Sequence, residues 1–165
     1  MSAIASSTHL PVLGEPHQHE EVGHQLEATL HELVDLSLIG KQLHWCVVGP
    51  LFRPLHLQLD ELVDAWRELS DTVAERAVAV GYVPDGQARA LVADSPIAPV
   101  DRAALEDHVV VRELVHRIAQ ASERARLRMD RLGQIDAASQ DVLVDVVRVL
   151  EEQQWMLRVQ LSSRA

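Results

Sequence analysis

Cysteine is nearly absent from this chain of 165 residues, and Cys46 stands alone. No internal disulfide can form, and CxxC or multi-cysteine zinc and iron–sulfur sites are excluded, so any metal must be held by His, Asp and Glu. Aromatic residues are scarce at 3%, and alternating runs of Val, Ile and Thr are missing, which leaves little room for a β-sheet. No uninterrupted apolar run approaches the roughly 18 residues of a membrane span. Basic charge is short as well. The first Lys or Arg is Lys41, so the N-terminus lacks the positive region that opens a secretory signal and the Arg-rich face of a transit peptide. A cytoplasmic location is therefore expected. Between Met1 and Gly40 there are six acidic residues and no basic ones, and the whole chain sets 15 Lys and Arg against 25 Asp and Glu, a net charge of -10. Such a chain lacks the cations whose counterion release drives most non-specific DNA binding. Its acidic surface suits small cations instead.

What the chain does contain is helical periodicity. Gly and Pro punctuate it at only a few places: Pro11 to Pro16, Gly49 to Pro54, Gly81 to Pro99, and Gly133. Between them, Leu26, Leu30, Leu33, Leu36, Ile39 and Leu43 predict a helix from about Glu20 to Cys46. Leu55, Leu59, Leu62, Trp66, Leu69, Val73 and Ala77 predict a second, with Pro54 in its first turn. Asp101 is expected to cap a third helix reaching Leu132, and Asp136 a fourth running to about Leu161. Val142, Val144, Val146, Val147 and Val149 look strand-like locally, but Leu143, Leu150 and Leu157 favour helix. The expected fold is all-α, a four-helix bundle over residues 20–165 preceded by a flexible, acidic, His-containing arm over residues 1–19. Short turns at Gly49-Pro50 and Gly133 make two antiparallel hairpins. The stretch 81–100 between the hairpins is longer than the about 2 to 8 residues a bundle connection needs. Extended, it reaches about 66 Å, against about 40 Å for a 27-residue helix, so it can carry the chain to the opposite end. One long crossover between the second and third helices (B and C) is the ferritin-like form of the bundle. A short helix within Gln87 to Val92 fits inside it.

The second predicted helix carries His56, Asp60, Asp71 and Glu75 within a roughly 100° arc. They share a face but cannot share an ion, because His56 and Glu75 are about 28 Å apart along the axis. Two half-sites result: His56 with Asp60, and Asp71 with Glu75. The His56–Glu75 and Asp60–Asp71 pairs have the same midpoint, between Ala65 and Trp66. An antiparallel copy of the helix centred there sets each half-site against the other, as a two-fold dimer does. His44 and His56 are equidistant from Pro50, so the first hairpin brings His44 level with His56. The expectation is two equivalent sites per dimer, each using His44, His56 and Asp60 of one chain and Asp71 and Glu75 of the other. Imidazole plus carboxylate suits Fe(II) and accommodates Mn, Co or Zn. On spacing alone the same residues also fit a solvated acidic stripe with two histidines satisfied by core carbonyls.

The stretch DLSLIGKQLHWCVVGPLFRPLHLQLDELVD, followed by SDTVAERAVAVGYVPDG, closely resembles the Dps family, the ferritin-like proteins named for binding DNA in starved cells. The similarity runs from about Leu26 to Leu161 and rests on the KQxHW block, the downstream His and Asp, and the DxxAER block. The resemblance implies that His44, His56, Asp60, Asp71 and Glu75 are ferroxidase residues at a two-fold interface, with Asp71 and Glu75 the principal iron ligands and His44 the ligand from the partner. His56 and Asp60 take the outer positions. It further implies a dodecameric shell that oxidises Fe(II), preferably with hydrogen peroxide, and stores ferric mineral inside. Trp45 resembles a family tryptophan near the site and reads equally as a core aromatic. Asp136, Asp141 and Asp145 fall where the family lines its three-fold pores.

Several features depart from the family. Its frequent Lys-rich tail is missing, and twelve copies of a -10 chain would carry about -120, which argues against direct DNA binding. Cys46 replaces a usual Asn and reads as a small buried residue. Arg124, Arg126, Arg128 and Arg131 read as a solvated basic face late in the third helix. His9, His17, His19 and His24 with Glu15, Glu20 and Glu21 give the arm a composition compatible with an additional metal, zinc foremost. Glu21 with His24 and Glu113 with His116 match the Glu-x-x-His pattern of intrachain di-iron centres, but on the wrong segments. The rival readings are a non-catalytic nucleoid-binding or scaffold shell and a zinc-type metal buffer.

Overall fold

The computed structural model describes residues 16–162. Four long helices and one short one make up almost all of it: α1 (Pro16–Cys46), α2 (Phe52–Ala79), α3 (Ala88–Asp94), α4 (Asp107–Leu132) and α5 (Ala137–Ser162). Helix α1 packs along α2 and α4 along α5, and the two hairpins close on each other through α1 with α4 and α2 with α5. The apolar stripes read from the sequence face inward. Leu26, Leu33, Leu43, Leu59, Trp66, Leu114, Ile118, Leu143 and Leu150 are fully buried. Trp66 is large and amphipathic, and its Nε1–H donates to Gln153 Oε1 at 2.8 Å, joining α2 to α5 without leaving a buried donor unpaired. A Cβ on Gly40 would come within 2.6 Å of Val63 and 2.8 Å of Trp66, so the missing side chain is what lets α1 approach α2. The strand-like valines of the last segment lie in α5.

Two helix starts differ from expectation. Helix α1 opens at Pro16 rather than near Glu20, because proline fits a first helical turn as readily as it breaks a chain. Residues 1–15 of the expected arm lie outside the described residues. Asp101 caps nothing. Helix α4 starts at Asp107 after Glu106, since residues 105–106 instead form β2 (Leu105–Glu106), paired in parallel with β1 (Val47–Val48). The α1–α2 turn is thereby docked onto the start of α4. Gly49, at φ +117°, passes so close to Asp107 that a Cβ would meet Oδ2 at 2.9 Å, and the Leu51 N–H donates to that oxygen at 2.8 Å. At the other turn, Asp136 does cap α5: its Oδ1 accepts from the Ala138 N–H at 3.3 Å, and its Oδ2 from the Ser139 hydroxyl at 2.6 Å. The long crossover runs from α2 to α4 and carries α3, whose Leu91 is buried against α1. Among the described residues, no helix is long and apolar enough to cross a membrane.

Candidate metal centre

The α1–α2 hairpin places two imidazoles face to face. His44 sits in the last turn of α1, where the carbonyls have no intrahelical partner, and His56 in the first turns of α2. Their rings stack at 3.6 Å between centroids, 23° from parallel. Each hydrogen-bonds the other's backbone: His44 Nδ1–H donates to the His56 carbonyl at 2.9 Å, and His56 Nδ1–H to the His44 carbonyl at 3.0 Å. A carbonyl oxygen only accepts, so both Nδ1 atoms carry a proton, and in a neutral ring so held the lone pair is on Nε2. That tautomer suits metal binding through Nε2. The alternative of histidines satisfied by carbonyls is thus half true, since the bonds are made at the nitrogens that leave Nε2 available.

Asp60 lies one turn beyond His56. Its Oδ1 accepts from Lys41 Nζ, the chain's single lysine, at 2.6 Å and lies 3.3 Å from His44 Nδ1. The Lys41 hydrogen bond outweighs the cost of burial and, with the Lys41 charge, holds the Asp60 carboxyl below the usual aspartate range. Asp60 therefore stays anionic next to the imidazoles, partly neutralised by the lysine.

Asp71 and Glu75, one turn apart further along α2, are both exposed, and neither has a hydrogen bond or ion pair among the described residues. Asp71 edges an open cleft of about 340 Å³ between α1, α2 and the start of the crossover. The structure therefore brings His44, His56 and Asp60 together and leaves Asp71 and Glu75 apart. Among the described residues, no three His, Cys, Asp or Glu side chains of the single chain converge to hold an ion. Oxygen and imidazole donors with no thiolate suit a ferrous ion.

Other expected features fall differently. Trp45 is 69% exposed, so the core-aromatic reading fails, and Lys41 Nζ stands 6.0 Å from its ring centroid. Cys46 is half-buried rather than buried, its Sγ accepting from Gln42 Nε2 at 3.1 Å. The basic cluster is a solvated face only in part: Arg126 and Arg131 are exposed, while Arg124 and Arg128 are drawn into the bundle. Arg124 and Arg128 both bind Glu32, whose side chain is only 3% exposed, while Arg131 pairs with Glu21 and Arg126 with Glu151. Of the arm residues, His9 and Glu15 lie outside the described residues, as does the His17 side chain. His19 Nδ1–H donates to the Val80 carbonyl, and His24 faces the Tyr82 hydroxyl. Glu113 pairs with Arg117. Asp136, one of the pore candidates, is bound to Arg76, while Asp145 pairs with Arg148 and Asp141 is exposed.

Comparison with known proteins adds a family to this geometry. A ferritin-like domain model matches residues 23–164. The fine tangled pili major subunit of Haemophilus ducreyi is 36% identical over 144 residues, covering 86% of this chain and 75% of that one. The DNA protection during starvation protein of Mycolicibacterium smegmatis is 33% identical over 145 residues, covering 87% and 78%. The solved structure of DpsA14 from Streptomyces coelicolor superposes with a TM-score of 0.86 at 34% identity, covering 89% of this chain and 88% of that one. With a bundle of the same topology and this extent of similarity, the chain belongs to the Dps family of ferritin-like proteins.

Proposed function

We propose that this protein is a ferroxidase and iron store: two copies meet about a two-fold axis, and each of two shared sites oxidises Fe(II) with hydrogen peroxide or dioxygen. The observation that carries the proposal is the split donor set. His44, His56 and Asp60 form one half-site, its two rings preorganised by the carbonyl bonds and its carboxylate bound by Lys41, while Asp71 and Glu75 stand exposed and unpaired further along α2. A second copy run antiparallel to α2 supplies each half with the other. Asp71 and Glu75 hold the ferrous ion through charge, His44 of the other chain adds its Nε2, and His56 and Asp60 reach it through water. Carboxylates favour the ferric product because it carries one more positive charge. With peroxide the balance is two ferrous ions giving two electrons, the O–O bond breaking, and two hydroxides forming. Ferric product would then collect as mineral inside a dodecamer in the cytoplasm, withdrawing the reactants of hydroxyl-radical formation and so protecting DNA chemically. The acidic first segment and the net charge of -10 weigh against direct DNA binding.

A second reading is an assembly protein without iron chemistry, favoured by the similarity to a pilus subunit. Anaerobic ferrous titration of the assembled protein, followed by peroxide addition with both reactants monitored, separates the two. Two ferrous ions consumed per peroxide support the ferroxidase, whereas an assembled particle that takes up no iron supports the scaffold. Tight zinc uptake without electron transfer would indicate a metal buffer.

A further inference from the structure

The crossover between α2 and α4 is gripped by one face of α1. Glu27, His31 and Asp35 succeed one another at four-residue intervals, and each reaches the crossover. The Glu27 carboxylate accepts the Tyr82 hydroxyl on Oε2 at 2.5 Å and the Asp85 backbone N–H on Oε1 at 2.7 Å. His31, its side chain 4% exposed, donates from Nε2 to the Asp85 carbonyl at 2.8 Å. Further along, the Ser95 hydroxyl donates to Asp35 Oδ2 at 2.5 Å. Asp85 is thus held on both polar groups of its own backbone by two residues of a rigid helix.

The chain neighbours of Asp85 have a different role. Pro84 and Gly86, with Leu30, Val34 and Ala74, wall the cleft that Asp71 edges. The linkage is short: Glu27 and His31 fix Asp85, Asp85 fixes Pro84 and Gly86, and these set how wide the cleft stands beside Asp71. Neither Glu27 nor His31 lines the cleft. A loop residue has no helical ladder to hold it, so anchors from a helix supply the rigidity that a site wall requires. We infer that Glu27 and His31 are positioning residues for the Asp71–Glu75 half-site, holding the crossover wall against which the half-site of a second copy closes. This inference rests on the shared-site reading above. The far anchor, Asp35 with Ser95, borders an adjacent apolar groove that shares Val34 and Gly86 with the Asp71 cleft, but neither Asp35 nor Ser95 lines that cleft or holds Asp85, which makes the pair the nearest control.

The test uses the assembled full-length protein and ferrous iron itself. Glu27→Ala is expected to raise both the anaerobic ferrous Kd and the KM for ferrous iron by about tenfold, the effect typical of removing an outer partner of a metal site, while kcat holds. Glu27→Gln keeps an acceptor for the Asp85 N–H and is expected to recover most of the loss. Asp35→Ala is expected to lower thermal stability and leave KM unchanged. Where Glu27→Ala does not assemble, His31→Gln gives the same measurement, a raised KM with unchanged kcat. An unchanged KM in Glu27→Ala or His31→Gln, or an equal rise in Asp35→Ala, would overturn the inference while leaving the ferroxidase intact. Wild-type protein that takes up no ferrous iron would overturn both.

Discussion

His44 and His56 do with backbone oxygens what many metal sites do with a separate carboxylate, fixing the ring tautomer before any ion arrives. Lys41 acts in the opposite sense at Asp60, occupying an oxygen that in the proposed site would face the water on the ion. In Lys41→Gln the Asp60 carboxylate loses its main partner and the site loses a positive charge, so anaerobic ferrous binding at neutral pH is expected to tighten several-fold. Isothermal titration checks this, and weaker binding would contradict it. Asp136 gives a pH-dependent case. Burial alone would raise its carboxyl, but the hydrogen bonds of Ser139 and Arg76, the Arg76 charge and the Ala138 N–H outweigh that and hold it below the ordinary range. A carboxyl depressed by folding stabilises above its unfolded pKa, and the contribution is lost as pH falls through the folded value. Asp136→Asn should therefore cost about 1 to 2 kcal/mol at neutral pH, as a lost cap and charged partner do, with the gap to wild type closing in acid below the usual aspartate range. Thermal melts across pH measure it. Sequence spacing was enough to set His44 beside His56, because a hairpin mirrors positions about its turn. It was not enough to show the carbonyl bonds, whose acceptors are the same in every residue, nor that Trp45 faces outward.

Helices were legible wherever an apolar stripe ran for several turns, and least legible at their ends. The valine run in α5 was resolved by its leucines, since three of them at sevenfold spacing mark a buried helical face. Asp101 misled because a capping residue type says nothing about whether the next residues pair with something else, and β1 with β2 is only two residues long. Two arginines of α4, Arg124 and Arg128, depart from a solvated face for a related reason. Their partner Glu32 lies 92 and 96 residues away in the chain, and only folding reveals that a carboxylate on α1 is buried between Arg124 and Arg128. Removing one member of a buried ion network strands the others in a poorly solvated place. Glu32→Ala is expected to destabilise the fold by about 3 kcal/mol, read from urea unfolding, whereas exposed Asp145→Ala should change it little.

At the scale of the whole molecule, one chain is a finished fold, and under the proposed function it carries two half-sites and no whole one. The bundle buries its stripes without help, yet Asp71 and Glu75 remain exposed and unpaired among the described residues. The proposed two-fold relation comes from the sequence alone, because an antiparallel pairing of identical helices requires ligand positions symmetric about a common centre. The crossover wall was not, because it depends on which α1 side chains reach a loop more than 50 residues away. The most direct measurement mixes two folded variants that are inert alone: one carrying His44→Ala and His56→Ala, the other Asp71→Ala and Glu75→Ala. Random exchange makes half the dimers mixed, each with one intact site of two, so ferrous oxidation is predicted to return to about a quarter of the wild-type rate. Mixed dimers that assemble and stay inert, or either variant retaining full activity by itself, would contradict a site built from two chains.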